Sequence, residues 1–218
     1  EIETLAKVIL TAPKKVQIAA KTVTIDLVNQ SVYYLHKSHK LPLLFTILTT
    51  PEYKKVLIFC KTKYGANIIV KALEKASITA ASLHSGKTQA VREEALQNFK
   101  KSNLRVLVAT DVAARGIDVD NISLVINYNL PENPRNYIHR IGRTARAGKT
   151  GTAISFATEN DVRQLTNIEN NIGQVIPVVT EQPFHKELLK ASFIDQKKKK
   201  QTTKKSNRKR SNKIRSKR

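Results

Sequence analysis

At 218 residues the chain is long enough for one domain with a proper core and short for two. Its 40% hydrophobic content fits a globular protein, and no apolar run approaches the roughly twenty residues a bilayer-spanning helix needs, so no membrane partner is expected. One cysteine, Cys60, excludes an internal disulfide and points to a reducing compartment. The net charge of +22 is unevenly spread: residues 197–218 hold thirteen Lys or Arg and no acid, leaving 26 basic and 17 acidic residues, or +9, on residues 1–196.

The first residues lack the basic, apolar and small-residue order of a signal peptide. A chain that begins at Glu1 and contains no methionine is expected to be a piece of a longer protein. Residues 1–12 read as an amphipathic helix with Ile2, Leu5, Ile9 and Leu10 on one side. Pro13-Lys14-Lys15 breaks that pattern, and residues 13–27 read as an extended connector.

From there strands and helices alternate. Val28–Leu35 is predicted as a strand, followed by a helix over Lys40–Leu48 with Pro42 near its start. Val56–Cys60 is continuously apolar, as in a strand buried on both faces, and makes Cys60 a core thiol rather than a reactive one. Apolar residues at 66, 69, 70 and 73 predict a helix over Lys63–Lys75, and Thr79–Leu83 a further strand. Thr88–Lys101 is predicted helical, with Thr88 as N-cap and Glu93 and Glu94 near its positive end.

Arg105–Thr110 and Ser123–Asn127 are two more strands, the first followed by a short helical turn over Asp111–Arg115. Asn133-Pro134 opens a helix predicted to reach Arg146 and to close at Gly148. Gly151–Ala157 is the last strand, and Thr158 to Asp161 form a capping-box pattern before a final helix. Alternation of this kind predicts an α/β fold, a parallel sheet with helices on both faces. Residues 197–218 cannot bury enough apolar area to offset ordering entropy and are expected to be disordered. Such a basic arm suits phosphate backbones, and equally a solubility tail or a transport signal.

Ligands collect at the carboxyl ends of parallel strands. The residues just past those ends are polar: Lys61-Thr62-Lys63, His84 to Gln89, Thr110-Asp111 and Asn127 to Asn129. Any one of these loops could be an ordinary turn, but together on a basic domain they suggest a track for a nucleic-acid backbone. A second group lies in the string from His139 to Arg146. If the helix continues, 139, 143 and 146 share one face and can aim an imidazole and two guanidiniums at phosphates; the alternative is a solvated basic face. Gly142 would then be a costly helix-interior glycine, a hint of close backbone approach. Third, a strand runs through Thr110-Asp111 to Gly116 and Asp118, a carboxylate able to accept from ribose hydroxyls or to act only locally in a turn.

Gly148-Lys149-Thr150 imitates the end of a P-loop, but Arg143 stands where that pattern needs glycine, and the segment follows a helix. No other lysine loop grips phosphate, no acidic pair at a strand end would hold Mg²⁺, and no metal site is expected in the chain.

Residues 28–158, about six tenths of the chain, resemble the second RecA-like domain of DEAD-box ATP-dependent RNA helicases. The likeness rests on the strings VLIFCKT from Val56, His84-x-Gly86 with Gln89-x-x-Arg92, ATDVAARGID from Ala109, and HRIGRTAR from His139. LHSGKTQ, with Lys87 where many members have Met, is most similar to the bacterial RhlE-like subgroup. The resemblance implies that Arg143 and Arg146 are arginine fingers on the β- and γ-phosphates of ATP, held with Mg²⁺ mainly by an absent first domain. It implies that Gly116 and Asp118 touch the nucleotide, Asp118 at the ribose, and that His139 faces the first domain's acidic motif. Thr62, Gly86, Gln89, Arg92, Thr110 and Asp111 would line or support an RNA track, with Arg115 between track and nucleotide. The partners implied are RNA and the N-terminal RecA-like domain of the same protein.

The division expected is the end of the first motor domain over 1–12, a linker over 13–27, the RecA-like domain over 28–180, an extension over 181–196 and the tail over 197–218. Ala145 stands where the family usually has glycine, tolerable if that residue is helical. The rival reading is a non-catalytic RNA-binding or chaperone module acting through the tail, and a further one a DNA-directed motor. The lone thiol and the bacterial likeness predict a cytoplasmic protein; in a eukaryote the same tail would fit a nuclear or nucleolar one.

Overall fold

The computed structural model describes Ile9 and residues 25–114, 117, 119–145 and 150–186. The expected tail, the extension beyond residue 186 and most of the first two segments therefore lie outside the described residues. Ile9 is helical and exposed, and Ile25–Leu27 form a single 3₁₀ turn rather than extended chain.

Six parallel strands make one sheet: β1 (Val28–Tyr34), β2 (Val56–Phe59), β3 (Ala80–Leu83), β4 (Val106–Ala109), β5 (Leu124–Asn127) and β6 (Gly151–Ala157). Their spatial order is β1-β6-β5-β2-β4-β3. Five α-helices accompany them: α1 (Lys40–Leu48), α2 (Lys63–Lys75), α3 (Gln89–Lys100), α4 (Pro134–Ile141) and α5 (Val162–Ile172). Every described strand and helix falls within a residue or two of its expected position except α4, which stops at Ile141 instead of running to Arg146.

The strand order dictates which face each helix takes. The connections β1–α1–β2 and β2–α2–β3 move across the sheet in one direction, and those through α3, through residues 110–123 and through α4 move in the other. A right-handed crossover must place the two groups on opposite faces. Accordingly, Leu43, Leu44, Ile69 and Leu73 of α1 and α2 pack on Val56, Ile58, Val108 and Ile126. Phe99, Ala113, Ile117, Tyr137, Ile141 and Leu165 pack on Leu57, Phe59, Leu107 and Val125 from the other side. β2, β4 and β5 are buried along their whole lengths, which is why they read as unbroken apolar runs.

The helix ends follow their capping chemistry. Thr62 and Thr88 accept from Gly65 N and Val91 N at the starts of α2 and α3. Asn133 accepts from Arg135 N at 2.9 Å, with Pro134 in the first turn of α4. Thr158 and Asp161 form the expected capping box before α5, through a 3₁₀ turn at Glu159–Asp161. Past α5 the chain runs along the outer strand: Val32 N donates to Pro177 O, Val179 N to Val32 O, and Lys186 N to Tyr34 O. Residues 181–186 thus stay on the body of the domain, and Lys186 sits at the carboxyl end of β1.

Candidate nucleotide and RNA interface

Adjacent strands β2 and β5 send their connections in opposite directions, so a crevice opens between their carboxyl ends. A cleft of about 60 Å³ lies there, lined by Phe59, Asp111, Ala114, Asn136, His139, Arg140 and Arg143. Its floor is built on Arg140, only 2% exposed. Arg140 Nε donates to Asp111 Oδ1 at 2.6 Å and Nη2 to Asp111 Oδ2 at 2.8 Å. Nη1 donates to Asn127 Oδ1 at 3.0 Å and to Asn129 O at 2.7 Å. The guanidinium also lies 4.9 Å from the centre of the Phe59 ring. A charge this buried is tolerable only when its donors are matched in this way.

The loop after β5 is gripped from its other side by Lys40. Its Nζ is buried, donates to Tyr128 O at 2.8 Å and stands 3.9 Å from Asp161 Oδ2. Burial pushes the Lys40 pKa down, opposed by the Asp161 carboxylate. The Asn129 side chain accepts from Lys61 N at 3.2 Å, joining the β5 loop to the loop that follows β2.

His139 is exposed on the cleft wall, and Arg143 is half-buried beside it, with Nη1 donating to Ile117 O at 2.7 Å. The two are not on a common helix face, contrary to expectation. α4 ends at Ile141, Gly142 is its C-cap rather than an interior residue, and Arg143 N and Thr144 N close tight turns onto Arg140 O and Ile141 O. Ala145 is not helical: its φ of +53° is left-handed, the region that glycine occupies without penalty. Gly151 explains part of the bend, since a Cβ there would lie 2.4 Å from Thr144 Oγ1 and 2.5 Å from Ala145 N. Thr144 and Ala145 are thus packed against the start of β6. Arg146, Arg115, Gly116 and Asp118 lie outside the described residues.

The RNA-track candidates follow the sheet edge in spatial order. Thr62 stands past β2, Thr110 and Asp111 past β4, and Gly86, Gln89 and Arg92 past β3. Adjacent strands lie about 5 Å apart, so these loops form a continuous strip. Thr62 and Gln89 are exposed, and Gln89 bonds to Glu93 and accepts from Arg92. Arg92 Nε is buried with no hydrogen-bond partner, while its Nη1 donates to Gln89 at the strip. Asp111, in contrast, is committed to Arg140 and acts as a support. Gly86 N donates to His84 Nδ1 at 3.1 Å, and the His84 imidazole, which burial and Lys87 and Lys63 hold below its usual pKa, is itself buried.

Sequence reasoning missed Arg140 as a site-building residue, and it placed Asn127 and Asn129 only among the polar strand-end residues, not as partners of Arg140. A signal existed: Tyr137, Arg140 and Ile141 occupy one stripe of α4, so an arginine falls at a core-facing position. Among the described residues, no three His, Cys, Asp or Glu side chains cluster in a way that could hold a metal ion, and no helix is long and apolar enough to cross a membrane.

Known proteins share this sequence pattern and fold. The helicase conserved C-terminal domain matches residues 39–148, half of the chain. The ATP-dependent RNA helicase RhlB of Pseudomonas syringae pv. tomato is 41% identical over 180 residues, 83% of this chain and 45% of that protein. The E. coli DEAD-box protein SrmB, solved bound to regulator of ribonuclease activity A, superposes with a TM-score of 0.69 at 34% identity, over 73% of this chain and 95% of that one. S. cerevisiae Dbp5 bound to RNA and ADP BeF3 superposes at 0.71 with 28% identity, over 82% of this chain and 48% of that one. The chain spans less than half the length of the RhlB relative it matches. With six parallel strands in this order and these residues at their carboxyl ends, the chain belongs to the helicase conserved C-terminal domain family, as a C-terminal RecA-like domain of the DEAD-box type.

Proposed function

We propose that this domain is the C-terminal motor half of an ATP-dependent RNA helicase. In this reading the whole protein unwinds short RNA duplexes or remodels RNA–protein complexes through ATP-driven closure onto its N-terminal RecA-like domain. The observation that carries it is the cleft at the β2–β5 crevice, which Arg143 and His139 line together with Asp111 and the buried Arg140. A cationic, half-open cleft of this kind suits phosphate oxygens presented by a second domain.

ATP with Mg²⁺, held mainly by the first domain, would supply the transferable phosphoryl group and the negative charge to be stabilised. Arg143 offers that charge a planar fork of donors that stays protonated at any working pH. Its backbone is fixed by the turn onto Arg140 O, so the clamp on Asp111 sets where the fork is presented. Arg146 would join it on the phosphates, Gly116 and Asp118 would approach the nucleotide with Asp118 at the ribose, and His139 would meet the first domain's acidic motif. Thr62, Gly86, Gln89, Arg92 and Thr110 would contact an RNA backbone, with Asp111 as support and Arg115 linking track to nucleotide. That Dbp5 was solved bound to RNA and ADP BeF3 supports RNA and a nucleotide as the ligands of such a domain. A cytoplasmic site of action goes with the single thiol.

The test is to measure ATP hydrolysis with and without single-stranded RNA, for this chain and for the full-length protein. RNA-stimulated turnover is expected only from the full-length protein; robust turnover by this chain alone overturns the division of labour. The thirteen Lys and Arg of residues 197–218 favour a second reading, a non-catalytic RNA chaperone. Lys186 stands on the carboxyl edge of the sheet, and the ten residues from there to the tail can span about 35 Å, enough to reach the strip. If deletion of 197–218 removes nearly all RNA affinity, that second reading gains and the folded edge loses.

A further inference from the structure

The loop from His84 to Gly86 is built on one histidine whose two nitrogens have fixed opposite roles. Gly86 N–H can only donate, and it points at His84 Nδ1 from 3.1 Å, so Nδ1 must carry a lone pair. The ring proton therefore belongs on Nε2, which faces Asn67 Oδ1 at 3.0 Å. Asn67 Oδ1 accepts a second bond from Ser82 Oγ at 2.8 Å, so the acceptor is itself held from β3. His84 as a whole is 3% exposed. A Cβ on Gly86 would lie 3.2 Å from Nδ1 and 3.3 Å from Cε1, so the glycine backbone sits directly against the imidazole.

We propose that His84 is a positioning residue for the RNA-facing Gly86 loop and that it works only as the neutral Nε2–H tautomer, so that protonation releases the loop and weakens RNA binding. A second proton would sit on Nδ1 and oppose the Gly86 N–H, donor against donor, and the loop could keep its place only by turning that amide away. The charges that bear on the ring are Lys63, from α2, and Lys87, from the loop itself; both are cationic and both resist the proton. Burial acts in the same direction. The consequence runs against simple electrostatics, in which an added positive charge on acidification tightens a phosphate ligand. The inference rests on the assignment of this edge to RNA.

Two measurements test it on the 218-residue chain. Long-range ¹H–¹⁵N correlation spectra near pH 7.5 report the ring tautomer without any variant or ligand. They are expected to show Nε2–H for His84; a proton on Nδ1, or on both nitrogens, overturns the proposal. The second is the affinity for a short single-stranded oligouridine, at fixed salt, stepped from about pH 7.5 down to about pH 4.5 because His84 is held below the ordinary histidine range, for wild type, His84→Asn and His84→Gln. Asn can place an amide oxygen where Nδ1 accepts and does not titrate, whereas Gln reaches Asn67 and leaves Gly86 N without its acceptor. Comparing wild type with His84→Asn cancels the tail and the other four histidines.

The wild-type affinity is expected to fall roughly three- to tenfold relative to His84→Asn on acidification, the worth of one hydrogen bond, and His84→Gln to be weak at every pH. An unchanged or rising ratio overturns the inference while leaving the RNA reading intact. A chain that binds no RNA at any pH overturns both, and the tautomer spectrum then shows whether the loop geometry stood.

Discussion

Arg140 and Asp111 meet in a two-pronged pair, Nε on Oδ1 at 2.6 Å and Nη2 on Oδ2 at 2.8 Å, that joins the last turn of α4 to the loop after β4. The arginine side chain is 3% exposed and the aspartate 34%, so the guanidinium has far more to lose than the carboxylate. Replacing Arg140 with Leu should cost about 2–4 kcal/mol of stability, because Asn127 Oδ1 and Asn129 O lose a donor along with Asp111. Arg140→Lys should recover only part of this, since an ammonium cannot serve Asp111, Asn127 and Asn129 O with one planar fork. Urea unfolding of the three proteins gives the comparison; equal stability of wild type and Arg140→Lys would show the fork to be unnecessary.

The turn after α4 makes a paired prediction. Ala145 pays for its left-handed φ of +53° with about 1 kcal/mol of backbone strain, which glycine would avoid. Ala145→Gly should therefore raise stability by a few tenths to 1 kcal/mol, the unfolded-chain entropy of glycine offsetting some of the gain. Gly151→Ala should do the reverse, by about 1–3 kcal/mol, because its Cβ would meet Thr144 and the Ala145 backbone nitrogen inside 3 Å. Thermal unfolding checks the signs, and a destabilised Ala145→Gly would contradict the strain.

That turn also marks the limit of what the sequence could tell. The strands were legible because full burial leaves unbroken apolar runs such as Val56–Phe59, and most helices because Thr62, Thr88 and Asn133 announce their starts. The edge carrying the site followed from all-parallel pairing. The end of α4 was misread: Gly142, read as a costly interior residue, is the C-cap, and Thr144 and Ala145 then lie against Gly151 at the start of β6, a contact distant in sequence. Only its place on the Tyr137–Ile141 stripe set Arg140 apart from Arg143; the partners that make it a structural cation are distant in sequence, while Arg143 stands at the open cleft.

Cys60 gives a prediction with a definite pH sign. Burial pushes its thiol pKa up, against smaller opposing pulls from the Thr62 and Lys61 amides, Lys40 and Arg140. A raised pKa leaves less thiolate than an ordinary cysteine has at any pH below it, and the 3% exposure blocks access as well. In the folded protein Cys60 should resist a disulfide reagent at mildly alkaline pH and react only when denaturant is added. Rapid stoichiometric labelling of native protein would contradict the packing of this thiol against Asn129 and Gly65.

Arg143 separates chemistry from folding. Its backbone is set by the turn onto Arg140 O, and its Nη1 bond to Ile117 O orients the side chain along the cleft wall. Because the side chain is only half-buried at the open cleft, Arg143→Ala should change stability by no more than about 1–2 kcal/mol. If the guanidinium stabilises charge developing on a transferring phosphoryl group, the same change in the full-length protein should lower RNA-stimulated turnover by about 10³-fold or more. Arg143→Lys should rescue it poorly, since one point charge replaces two parallel donors. The rate constant at saturating ATP should carry most of the loss, because an interaction made mainly in the transition state leaves substrate affinity nearly untouched. A fall confined to ATP affinity, with the saturated rate unchanged, would make Arg143 a binding residue and leave the transition-state charge to another group.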